Sequence, residues 1–196
     1  MSNGRPRSFD IDQALDSAML LFWQQGYERT SLNDLTGAIG INRPSLYAAF
    51  GNKEELFYKA LERYTELRDG PVVTALELPR VRDAVETILM YGARFFTDDA
   101  AHPAGCLTVQ GALACSPDGQ RVHEVLKEKR ASGEAAFVRR FERARTDGDL
   151  PPDTDPVELA RYVSTVSYGM AVQANAGATY NELVQVVQRT MRAWPE

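Results

Sequence analysis

Metal binding or nucleophilic chemistry would first be sought at cysteine and histidine, and the chain has only Cys106, Cys115, His102 and His123. Neither histidine stands in a His-x-x-Glu-His spacing and the cysteines do not form Cys-x-x-Cys, so no metal site and no cofactor is expected. The two cysteines lie nine residues apart in a segment that reads as helix. That places them ~13.5 Å apart along the axis, beyond the roughly 7 Å between Cα atoms that a disulfide tolerates. Cys106 follows Gly105 and opens that helix, where free backbone N–H groups favour a thiolate. It is a candidate redox or electrophile sensor, acting by intersubunit pairing or adduct formation; the plainer alternative is a small apolar core side chain. Gly-x-Ser-x-Gly, a P-loop and a dinucleotide glycine fingerprint are absent, and no histidine has an obvious nucleophile beside it, so an enzyme is not expected.

A second group of side chains is suited to binding. Asn42, Arg43, Pro44 and Ser45 stand at the start of a short helical segment, with Tyr47 and Ala48 after them. The elements that position them are legible from caps and periodicity. Asp10 and Gln13 resemble a capping box before Ile11, Ala14, Leu15, Ala18, Leu21 and Phe22, which share one helical face; Gly26 ends that helix. Thr30 and Ser31 supply a hydroxyl N-cap for a short helix through Leu32, Leu35 and Ile39, stopped by Gly40. Asn42 caps the next, with Pro44 in its first turn and Leu46 and Phe50 facing inward. Asn52 and Glu55 box the start of a fourth helix, through Leu56, Phe57, Ala60, Leu61 and Tyr64. Two short helices joined across Gly40-Ile41 and braced by a longer one form a helix-turn-helix pattern at about residues 31–50.

Beyond residue 68 the stretch Gly70 to Arg80 reads as a domain junction. Helices are then predicted over about 81–97, 106–115, from Pro117 onward, 156–176 and 180–193. No strand alternation appears. The fold class is all-α, about nine helices, with an N-terminal helix-turn-helix three-helix domain joined to a larger C-terminal bundle. These elements divide the chain into an N-terminal helix-turn-helix domain at 1–52, a connecting helix at 53–69 and a larger C-terminal domain at 70–196.

The composition agrees with a globular protein: 196 residues, 44% hydrophobic, 25% charged, formal net charge −5. An acidic chain is no polybasic coat for nucleic acid or membrane. No apolar run approaches the roughly 18 residues of a membrane span, and the N-terminus lacks the apolar core of a signal peptide, so a cytoplasmic protein without membrane partners is expected.

Residues 5–68 resemble the TetR family of transcriptional regulators. The resemblance is carried by Leu21-Phe22, Gly26-Tyr27, Thr30-Ser31-Leu32, Asp34-Leu35, Gly40-Ile41-Asn42, Ser45-Leu46-Tyr47, Phe50 and Asn52-Lys53-Glu54-Glu55-Leu56-Phe57, without gaps. Gly105-Cys106-Leu107 and the run Gly169 to Ala174 are similar to one broad branch of the family. The resemblance implies a homodimer with a double-stranded DNA operator as partner, a divergent C-terminal half for a small-molecule inducer, and repression as the expected sign. It also implies that Tyr47 meets a phosphate through its hydroxyl and that Lys53 binds a phosphate beside free N–H groups at a helix start.

Arg43, the only long cationic side chain on the recognition helix, reads a guanine edge or holds a phosphate. Pro44 touches a thymine methyl or merely starts the helix, and Ser45 reaches DNA or caps. Thr30 and Ser31 hold a phosphate or only cap. Ala48 and Ala49 depart from the larger side chains common in the family, which leaves more to DNA shape. Residues 1–53 balance Arg5, Arg7, Arg29, Arg43 and Lys53 against Asp10, Asp12, Asp16, Glu28 and Asp34, so a modest salt dependence follows. Arg5 and Arg7 form an arm that enters the minor groove or stays solvated.

For the inducer, Tyr91, Phe95, Phe137, Phe141, Tyr162, Val166 and Met170 are candidate pocket residues with Gln110 and Gln173 as polar partners, a core role being the alternative for each. The last two helices carry small residues, Ser164 and Gly169 among them, and apolar ones such as Val163, Met170, Leu183, Val186, Val187 and Met191, which suit a two-fold four-helix interface. A helical protein-interaction module that keeps the fold without operator binding is the alternative from another class.

Overall fold

The computed structural model describes residues 9–98, 100–111 and 119–195. The expectations for Arg5, Arg7, Cys115 and a helix start at Pro117 fall outside the described residues. Among those described, the chain forms nine helices and no strand: α1 (Ile11–Gln25), α2 (Leu32–Ile39), α3 (Arg43–Phe50), α4 (Lys53–Leu76), α5 (Val81–Thr97), α6 (Leu107–Gln110), α7 (Gln120–Thr146), α8 (Pro156–Asn175) and α9 (Tyr180–Arg192). The fold is all-α, as the periodicity predicts.

The N-terminal helices begin and end where local chemistry dictates. The Asp10 carboxylate accepts the N–H groups of Asp12 and Gln13 at 2.8 and 3.1 Å. Ser31 and Asp34 form a reciprocal capping box on α2, and the hydrogen bonds from Ser31 hold the Asp34 carboxyl below the usual carboxylate range. Gly40, at φ +77°, turns the chain in the left-handed region that a side chain would strain, and Asn42 then caps α3 by accepting the Ser45 N–H at 2.9 Å. Phe22, Trp23, Leu35, Leu46, Leu56 and Phe57 bury fully beneath this turn, with Phe22 edge-on to Phe57 at 5.1 Å.

The largest departure from the sequence reading is α4. It does not stop near residue 68 but runs through Gly70 and Pro71 to Leu76. Proline removes one helical N–H and crowds the carbonyl four residues earlier, a local cost that tertiary structure outweighs here. Ala75 is buried, and Arg140, only 6% exposed, donates to the carbonyls of Leu76, Leu78 and Pro79 at 2.9, 2.9 and 3.1 Å. The α4–α5 turn is thus capped by a side chain more than sixty positions away. Arg140→Ala would leave these carbonyls without their charged donor and is expected to cost about 3 kcal/mol in urea unfolding. Arg140→Lys, which lacks the planar fork, should recover only part of it.

The helices α5, α7, α8 and α9 close the second half around Val85, Leu89, Leu126, Phe141, Val163 and Leu183. Here a second correction arises. Val163, Met170, Leu183, Val187 and Met191, read as interface residues, are buried within the protomer, as is Ser164. The apolar side chains left exposed on α8 and α9 are Val157, Tyr162, Val172 and Val186. Helical spacing identifies an apolar stripe but not which neighbour covers it.

Candidate nucleic-acid interface and ligand cavity

The α3 helix buries Leu46 and Phe50 and turns its opposite side outward. Asn42, Arg43, Pro44, Tyr47 and Ala48 are exposed and Ser45 is half-buried. The Arg43 guanidinium donates through Nη2 to Asn33 Oδ1 at 2.8 Å, so α2 orients the one long cation of α3. Ser31 is exposed with its hydroxyl engaged at the α2 cap. Lys53, at the first turn of α4, lies with Nζ 4.2 Å from the centroid of the Tyr27 ring. Burial there pulls the ammonium below the usual lysine value, while Glu28 and Asp34 act in the opposite direction. Lys53 thus lies within electrostatic reach of Asp34 on α2, the helix that also holds Arg43 through Asn33.

Thr30 departs from its expected role. Its side chain is fully buried and its hydroxyl donates to the Gly26 carbonyl at 2.7 Å, which removes it from the surface where a phosphate would sit. The adjacent Ser31 is the N-cap. Two consecutive hydroxyl residues before a helix do not reveal by themselves which one faces inward.

A cavity of about 300 Å³ lies between α4, α5, α7 and α8. Of the residues predicted for a pocket, Tyr91, Phe95 and Phe137 line it. The others lie elsewhere. Phe141 is fully buried against Phe137 and Trp194, and Met170 is core. Tyr162 and Gln173 are exposed, Val166 is a half-buried neighbour of the core, and Gln110 lines a separate, much smaller cleft beside Gly26 and His123. What sequence reasoning missed is the polar wall: Arg68 and Asp69 of α4, Arg130 of α7, and Ser164 of α8. A usable signal was present in Ser164 and Tyr168, one helical turn apart and both on the wall, since i and i+4 share a face.

Cys106 is 2% exposed and precedes the four-residue α6. The buried Tyr64 hydroxyl donates to its Sγ at 3.1 Å, Thr108 Oγ1 is also 3.1 Å away, and Arg68 Nη1 lies at 3.7 Å. Burial pushes the Tyr64 phenol well above its ordinary value, so it stays a neutral donor. Cys106→Ala strips that donor of its acceptor and should cost about 1–3 kcal/mol in chemical denaturation. Cys106→Ser, which restores an acceptor, should recover most of the loss.

An exposed second helix, held on its partner by a tight turn and rooted in an aromatic core, defines a helix-turn-helix protein. Residues 14–60 match the family of bacterial regulatory proteins described as tetR, and residues 78–194 match the tetracycline repressor-like C-terminal domain. Over its whole length the chain is 38% identical to the HTH-type transcriptional repressor ComR of Escherichia coli (strain K12), covering 93% of that protein. It is 32% identical to the HTH-type transcriptional regulator YezE of Bacillus subtilis (strain 168), across 92% of this chain and 93% of that one. The fold superposes with a TM-score of 0.94 on a cysteine-substituted form of the TetR family regulator CifR, complexed with 26-bp double-strand operator DNA. That likeness spans 98% of this chain and 100% of the other at 42% identity. The chain belongs to the TetR family of transcriptional regulators, which are DNA-binding proteins and not enzymes. No helix among the described residues is long and apolar enough to cross a membrane.

Proposed function

We propose that this protein is a cytoplasmic, homodimeric repressor that grips a palindromic operator through α3 and lets go when a small molecule fills the cavity behind α4. The observation that carries the reading is the outward face of α3, with Arg43 aimed by Asn33 and Tyr47 exposed beside it. Residues 1–52 form the DNA-binding domain in this reading, and α4 is the connector. The remainder senses the ligand and dimerises. The exposed Val157, Tyr162, Val172 and Val186 of α8 and α9 support pairing with a second copy across a two-fold axis. Such a dimer presents its recognition helices to successive major grooves, so half-site spacing becomes the regulated quantity.

The connector supplies the coupling. One continuous helix carries Lys53 at its DNA end and Arg68, Asp69 and Val72 on the cavity wall. A ligand that favours one placement of α4 favours one separation of the two α3 helices, and release follows where that separation misfits the operator. Selection of duplexes from a random pool tests the proposal. An enriched palindrome, bound by a dimer in sedimentation and no longer retained by Arg43→Ala, is the expected result. A folded dimer, free of copurified small molecules, that enriches nothing would favour the protein-interaction module instead. A thiol-switched form of the same regulator is favoured by Arg68, which both lines the cavity and approaches Cys106 Sγ. Unchanged release by electrophiles in Cys106→Ser would dismiss it.

A further inference from the structure

The cavity wall has two features that an ordinary packing gap between helices lacks. One is an unmet polar group. Ser164 is 3% exposed, lines the cavity, and its Oγ has no hydrogen-bond partner among the described residues. Buried hydroxyls are nearly always satisfied, so an unpaired one beside a cavity calls for a partner that the neighbouring side chains do not supply. The other is the sign of the charge. The lining includes Arg68, Lys129, Arg130 and Arg139 against a single carboxylate, Asp69, in a chain whose net charge is −5.

These cations are not equivalent. Arg68 is paired with Asp69 at 2.5 Å, so its charge is met within the protein. Lys129 and Arg139 are exposed at the rim. Arg130 is half-buried, and its Nη1 donates to a neutral acceptor, the Thr108 carbonyl, at 2.6 Å. A guanidinium has five N–H donors in a planar fork, so this bond leaves others to offer. On the same side, the Tyr168 hydroxyl donates to the Arg130 backbone carbonyl at 3.2 Å, and Tyr168 stands one turn from Ser164 on α8. The remaining wall mixes aliphatic side chains, Val72, Leu76 and Ile88 among them, with the aromatic Tyr91, Phe95, Phe96 and Phe137. Its volume, about 300 Å³, lies at the low end of the roughly 300–1,000 Å³ range of small-molecule pockets.

We infer that the cavity takes an aromatic carboxylate of about two fused rings, its ring plane among the aromatic side chains and its carboxylate on Arg130 and the Ser164 hydroxyl. The inference rests on the release reading above for its regulatory meaning, but the binding is tested without DNA. Flat rings stack on aromatic walls, and a carboxylate matches the guanidinium fork while accepting from a serine.

The probes are 2-naphthoate and its neutral methyl ester, titrated calorimetrically into the full-length protein at neutral pH. The acid is expected to bind about tenfold or more tightly than the ester, Arg130→Met to erase that preference, and Ser164→Ala to weaken both several-fold. Equal affinity for acid and ester, no binding of the acid by folded protein, or an undiminished preference in Arg130→Met would each overturn the inference. The acid-to-ester ratio of the unaltered protein decides the matter even where Arg130→Met fails to fold. An operator complex that survives saturation with bound naphthoate would count against release by this site while leaving the carboxylate preference standing.

Discussion

Replacing Arg43 with alanine is expected to weaken operator binding by about 2–6 kcal/mol per dimer, from about 1–3 kcal/mol at each half-site if the guanidinium reads a guanine edge. Fluorescence anisotropy with the selected operator measures the loss, and circular dichroism should show the fold unchanged, because Arg43 is exposed and outside the core. The bond to Asn33 engages only Nη2 of Arg43, so the other guanidinium donors remain to offer and only a contact through Nη2 itself requires an exchange. Its cost is small, since an exposed hydrogen bond traded for another contributes little net energy. A phosphate role gives a different signature: affinity falls uniformly across sequences, and the slope of log K against log salt drops by about one for each phosphate no longer neutralised. Discrimination at one base pair that disappears with Arg43 points to base reading; a reduced slope with intact discrimination points to the backbone. Because Ala48 and Ala49 follow on the same helix, few other side chains can compensate, and the effect should sit at the upper end of the range.

The second large effect is expected at Trp23. Its side chain is fully buried and its ring stacks on His102 at 4.3 Å and Phe95 at 5.5 Å, with Tyr64 edge-on at 4.7 Å. One residue of α1 therefore touches α4, α5 and the loop after α5, and Phe95 in turn lines the cavity. Truncation to alanine should cost about 3–5 kcal/mol, because so large a void cannot collapse against three elements at once. In a chain of this size that corresponds to a fall in Tm on the order of 10 °C. Trp23→Phe is the informative companion. The indole Nε1 is buried without a hydrogen-bond partner among the described residues, so its removal relieves a desolvation cost while most of the ring packing remains. Trp23→Phe should stay within about 1.5 kcal/mol of the native protein. A loss as large as that of alanine would mean that the indole N–H is satisfied in solution.

The expectations that held rest on short-range chemistry. The hydroxyl cap at Ser31, the stop at Gly40, the Asn42 cap and the Asn52–Glu55 box each act within a few residues, and together they bound α2, the turn, α3 and the start of α4. The exposed set on α3 follows from the same local facts, because once Leu46 and Phe50 are committed to the core the intervening positions face outward. Thr30 is the local case that failed, for its hydroxyl is claimed by Gly26 across a turn whose shape depends on the packing of Phe22 and Tyr27.

By itself, then, the sequence determined the helical class, the helix-turn-helix and the outward face of α3. Tertiary structure alone decided the continuation of α4 through Pro71, where Arg140 supplies a cap from far along the chain. It alone decided which aromatic residues line the cavity and which, like Phe141, fill the core. It also placed Ser164 inside the protomer rather than on its outer face. The physical reason is one of range. Caps and turns are settled by bonds between near neighbours, whereas α5 and α8 each pack against several helices at once. Which apolar surface stays open depends on how four helices meet.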